Sequence, residues 1–110
     1  MASSRDFLEY IREQLSATDD ITYRAMMGEF IIYCRGRIIG GIYDDRFLVK
    51  PTAAAQAMMP QAEYQLPYPG AKEMLVVDNV DDRDFLYELV NAIADELPLP
   101  RRKKFTKSRP

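Results

Sequence analysis

A chain of 110 residues makes one domain, and its 47% apolar and 29% charged residues are those of an ordinary globular protein. Histidine is absent and Cys34 is the single cysteine, which excludes imidazole-based triads, an internal disulfide and the common zinc sites. No apolar run reaches the roughly 18 residues that a membrane-spanning helix needs.

The net charge of −2 is unevenly spread. Residues 101–110 carry Arg101, Arg102, Lys103, Lys104, Lys107 and Arg109 and no acid; the remaining nine bases face seventeen acids, so residues 1–100 carry −8. The expected organisation is therefore a folded body over residues 1–100 and a disordered basic tail over residues 101–110. The N-terminus leads into an amphipathic pattern without an apolar signal segment. Together with the lone cysteine, this gives a cytoplasmic expectation.

Ser3 or Ser4 is placed to cap a first helix running to about Leu15 or Ser16, with Phe7, Leu8, Ile11 and Leu15 on one stripe. Thr18-Asp19-Asp20 ends it, and a strand over about Thr22–Met27 stops at Met27-Gly28. Three further strands follow, Phe30–Cys34, Ile38–Tyr43 and Arg46–Lys50, joined by two-residue turns at Arg35-Gly36 and Asp44-Asp45. This pairing sets Tyr33 opposite Ile38 and Ile42 opposite Phe47.

Strict alternation then puts Ile31, Tyr33, Ile38, Gly40, Ile42, Phe47 and Val49 on one face. That face is free of charge and is expected to be the core. Phe30, Ile32, Cys34, Arg37, Ile39, Gly41, Tyr43, Arg46, Leu48 and Lys50 fall on the other. They mix apolar groups with cations, the composition of a surface that meets a partner. Gly41 is expected opposite Phe30, where a missing side chain permits close approach.

Pro51 ends the last of these strands, and Thr52 caps a short helix through about Met59 before Pro60. Residues 62–68 alternate as a strand, at a sheet edge because of Pro67. Pro69-Gly70 is a turn, Glu73–Val77 the last strand, and Asp81 or Asp82 caps a final helix. Phe85, Leu86, Leu89, Val90, Ile93 and Leu97 form that helix's buried stripe. The order helix-β-β-β-β-helix-β-β-helix describes an α+β two-layer sandwich with a mainly antiparallel sheet.

The run Arg24-Ala25-Met26-Met27-Gly28-Glu29-Phe30 is followed by Tyr33, Gly36, Gly40-Gly41-Ile42-Tyr43 and Leu48-Val49-Lys50, and later by Tyr68-Pro69-Gly70-Ala71-Lys72-Glu73-Met74. In order and spacing these resemble the TfoX (Sxy) N-terminal domain family over about residues 5–98. The resemblance implies a two-layer fold similar to secretion-chaperone-like and YjbR-like domains. It also implies kinship with a competence regulator that acts with the cyclic-AMP receptor protein and carries a second, helical C-terminal domain. The present chain has no room for that domain and is expected to be a stand-alone form, so the competence role does not transfer directly. The family brings no catalytic residues and no cofactor.

Several residues invite both a functional and a structural reading. Arg24, Met27 and Gly28 suit a contact patch, or a strand junction in which Gly28 supplies an unusual backbone angle and Arg24 pairs with Asp19 or Asp20. Phe30, Ile39, Gly41 and Tyr43 are candidates for the partner-facing surface, and Arg24, Tyr33 and Lys50 for an anion pocket, with Lys72 as a further cation. Met58 and Met59 read as core filler. Tyr64 and Tyr68 lack the alternating cations of a base-stacking platform, and Glu63 has the wrong sign. Cys34 reads as a small apolar residue, and the Asp pairs at 19–20, 44–45 and 81–82 as turn and cap residues. The basic tail permits a weak, salt-sensitive grip on nucleic acid that the −8 body opposes.

The expectation is a non-enzymatic regulatory module without metal or cofactor, which binds a protein or itself. The alternatives are DNA association through the tail and binding of a small anionic ligand.

Overall fold

The computed structural model describes residues 4–18 and 20–97. Three helices and six strands appear in the expected order: α1 (Arg5–Gln14), β1 (Ile21–Met26), β2 (Glu29–Cys34), β3 (Arg37–Tyr43), β4 (Arg46–Val49), α2 (Ala53–Met58), β5 (Tyr64–Gln65), β6 (Met74–Val76) and α3 (Arg83–Glu96). The basic tail and Asp19 lie outside the described residues. No helix among the described residues is long and apolar enough to cross a membrane.

Caps and turns start and stop these elements as the local chemistry dictates. The side-chain oxygens of Ser4, Thr52 and Asp82 accept from the backbone N–H groups of Phe7, Ala55 and Phe85, closing the first turn of each helix. Ser4 also donates its own N–H to Asp45 Oδ1 at 2.7 Å, which ties the start of α1 to the β3–β4 turn. All three hairpin turns, Met27-Gly28, Arg35-Gly36 and Asp44-Asp45, have both central residues at positive φ. That geometry matches the twist of the flanking strands. Met27-Gly28 is thus a tight turn, with Gly28 at φ +85° and Met27 95% exposed at its tip. No packing holds that methionine.

The sheet is open and antiparallel, in the order β1-β2-β3-β4-β6-β5. Tyr33 pairs with Ile38 and Ile42 with Phe47, as the turn lengths require. Between those two pairs the register slips: Ile32 pairs with Gly40 and Tyr33 with Ile38, so Ile39 is an extra residue in β3. This bulge corrects the sequence-based assignment of faces. Alternation is broken at Ile39, and Phe30, Ile32 and Cys34 join Ile42, Phe47 and Val49 on one side. Phe30 and Ile39 are therefore core residues rather than partner-facing ones, packed with Leu8, Ile11, Leu86, Leu89 and Ile93 of the helices. Gly41 pairs with Ile31, and Phe30 with Ile42.

All three helices contribute to that core, on the same side of the sheet. Met58 and Met59 pack partly buried against it. The opposite, outer side carries Ile31, Tyr33, Ile38, Gly41, Tyr43, Leu48 and Val76, by register. It is mostly apolar, but three of these seven residues, Ile31, Tyr33 and Ile38, are ones assigned to the core from sequence.

Candidate functional site

The outer face is where the fold makes a concavity. The segment after β5 does not run away from the sheet but turns back over it. Pro67 is buried, Gly70 takes φ +89°, and the Ala71 N–H donates to the Tyr68 carbonyl at 3.1 Å. Arg46 pins this segment down. Its Nε donates to the Tyr43 carbonyl at 3.0 Å, and its guanidinium also reaches Gln65 Oε1 and the Leu66 carbonyl. One side chain thus joins the end of β3 to the exit of β5.

Beside the pinned segment lies an open cavity of about 470 Å³. Ile38, Tyr43, Pro67, Tyr68 and Met74 are among the residues that line it. The Tyr43 and Tyr68 rings meet at 6.1 Å between centroids with a 54° tilt. Tyr43 is nearly buried while Tyr68 is half exposed. Burial pushes the Tyr43 phenol above its ordinary range, and the neighbouring Tyr68, Glu29 and Tyr33 push it the same way. Lys50, Thr52, Lys72 and Glu73 place polar groups at the same cavity.

Of the residues singled out from sequence as candidates for a contact surface or an anion site, Tyr43, Lys50 and Lys72 share this cavity. Gly41 serves it indirectly by making room for the Tyr43 ring: a Cβ at position 41 would fall 2.7 Å from Tyr43 Cε2. Arg24 lies exposed on β1, outside the cavity, and its side chain makes no hydrogen bond or ion pair among the described residues. Tyr33 is paired with Ile38, itself a cavity residue, so it stands beside the site without lining it. Met27 and Gly28 occupy a separate hairpin tip.

Sequence reasoning missed Ile38, Tyr68, Ala71 and Met74 as one wall. The Pro67 and Pro69-Gly70 signals marked a break in the strand. The return of the chain over the sheet follows from Arg46, whose hydrogen bonds span 19 and 20 residues. Cys34 is fully buried in the core. Among the described residues, no three His, Cys, Asp or Glu side chains group as a metal site would require.

The TfoX N-terminal domain family matches residues 13–93. A relative from Spirochaeta aurantia, described as an uncharacterized 12.7 kDa protein in the trpE 5′ region, is 30% identical over 105 residues. That match covers 94% of this chain and 91% of the relative. No solved structure matches the chain. On the length of the family match and the agreement in size of this relative, the chain belongs to the TfoX N-terminal domain family.

Proposed function

We propose that this chain is a regulatory module that acts by binding and not by catalysis, and that a protein partner or a second copy of the chain seats on the outer sheet face. One observation carries the reading. The helices that contribute to the core all lie on one side of the sheet, leaving Ile31, Tyr33, Ile38 and Val76 only partly covered on the other. Apolar area left uncovered beside a polar rim is the usual signature of a contact surface. Family membership supports the regulatory half of the proposal.

Ile38 is the residue that tests it, because it is 38% exposed and its loss leaves the core untouched. Light scattering on the purified protein, with pull-down from the native cell, compares the wild type with Ile38→Asp. The variant is expected to lose self-association or its captured partner while keeping the wild-type melting temperature. A monomeric wild type that captures nothing, or an Ile38→Asp variant that still associates, overturns the proposal.

A further inference from the structure

We infer that the cavity between β3, residues 50–52 and residues 67–74 is a binding site for a small organic carboxylate with an aromatic or aliphatic body. The cavity shares Ile38 with the proposed docking face, but the inference goes beyond that reading and rests on the lining of the cavity alone.

Size is the first argument. A cavity of about 470 Å³ lies within the roughly 300–1,000 Å³ occupied by small-molecule sites. Its wall is of the corresponding kind, with Ile38, Pro67 and Met74 beside two tyrosines and a few polar residues.

Charge is the second. Residues 1–100 hold nine cations in a body of −8. Six of them are engaged: Arg5 with Tyr23, Arg12 with Glu9, Arg35 with Asp95, Arg37 with the Leu97 carbonyl, Arg46 as described, and Arg83 with Glu13. Arg24, Lys50 and Lys72 are left without a side-chain partner among the described residues. Two of those three line this one cavity. Two ammonium groups without a side-chain partner beside an apolar wall favour an anionic ligand with an apolar body.

The net charge of the cavity selects the anion. Glu73 also lines the cavity, so Lys50, Lys72 and Glu73 sum to one positive charge. That balance suits a monoanion and disfavours a phosphate dianion. Thr52 adds no free donor, since its Oγ1 accepts from the Ala55 N–H at 3.1 Å and its O–H is hydrogen-bonded to the Glu96 carboxylate, so the two lysines are the groups left to meet the anion. The apolar wall takes the rest of the molecule.

The test titrates the full chain with naphthoate, neutral naphthalenemethanol and inorganic phosphate, followed by backbone NMR shifts. Naphthoate is expected to move the signals of Ile38, Ala71 and Met74, and to bind about tenfold more tightly than the alcohol, the size of one charge-assisted contact. The Lys50→Gln/Lys72→Gln double variant should bind naphthoate no better than the alcohol, with an unchanged melting temperature. Arg24→Gln removes a cation away from the cavity and should leave naphthoate affinity as it is. Met74→Trp, which fills the cavity, should block both aromatic compounds. Equal affinity for naphthoate and the alcohol, phosphate binding as tightly as naphthoate, or an equal effect of Arg24→Gln would each overturn the assignment. So would shifts confined to another surface, or no shifts at all.

Discussion

The ring of Tyr43 lies against Gly41, two residues back on the same strand, in space that a side chain at position 41 would occupy. An ideal Cβ there would sit 2.7 Å from Tyr43 Cε2 and 2.6 Å from the Phe30 carbonyl oxygen. Gly41 therefore makes room for the wall of the candidate site.

The two adjacent glycines should respond to alanine in a defined order. At Gly40 the three nearest atoms to a new Cβ are all backbone of β4, beginning with the Leu48 carbonyl oxygen at 2.1 Å. At Gly41 only the nearest atom is backbone, the Phe30 carbonyl oxygen at 2.6 Å, and the other two belong to the Tyr43 ring. Gly40→Ala is expected to cost about 3 kcal/mol or more and Gly41→Ala about 1–2 kcal/mol. Urea denaturation checks the ranking; an inverted order would show that the Tyr43 ring is held more rigidly than the strand pairing.

Ile38 and Ile39 give the sharpest contrast between neighbours. Ile39 is fully buried in the core and Ile38 is 38% exposed on the outer face. Ile39→Asp places a carboxylate among aliphatic side chains and should cost more than about 4 kcal/mol, enough to abolish folding. Ile38→Asp should stay within about 1 kcal/mol of wild type. Circular dichroism melts distinguish them, and similar losses would contradict the bulged register.

Acid should loosen the contact between the end of α3 and the start of α2. The Glu96 carboxylate accepts from the Ala53 N–H at 3.0 Å and the Ala54 N–H at 2.9 Å. These bonds hold its pKa below the ordinary carboxylate value. A lowered folded pKa means the stabilisation is present above the unfolded value and is lost as pH falls through the folded one. Wild type should therefore exceed Glu96→Gln in melting temperature at neutral pH, with the gap closing as pH falls below the carboxylate range. A gap independent of pH would assign the effect to packing.

Cys34 is expected to be unreactive in the native protein. It is fully buried beneath the helices, so an aromatic disulfide reagent should titrate no thiol until denaturant is added. Prompt reaction of the folded protein would place Cys34 outside the core.

Most of the element order was legible in the chain because its signals are local. Ser4, Thr52 and Asp82 announce helix starts, and Arg35-Gly36 and Asp44-Asp45 announce two-residue turns. The pairs Tyr33–Ile38 and Ile42–Phe47 follow from those turns alone. The faces were not legible, because alternation is continuous in sequence and interrupted in space. Ile39 looks like any other strand isoleucine, and only the whole sheet, with helices over Phe30 and Ile32, decides which side it joins. The cavity escaped for a related reason. Its lysines could be named individually, but the return of residues 66–74 depends on Arg46 reaching Gln65 and Leu66.

The strand order also bears on how the molecule assembles. Each of the first four strands pairs with its sequence neighbour across a two-residue turn, so loop-closure entropy opposes the meander only weakly. β6 must instead cross past α2 and β5 before it reaches β4. We expect the cavity wall at 66–74 to consolidate last on refolding and to exchange its amide hydrogens soonest in the native state. Any ligand held there would then be gripped by the latest-formed and most readily loosened part of the protein, so that occupancy would be felt as a tightening of the whole late half of the fold.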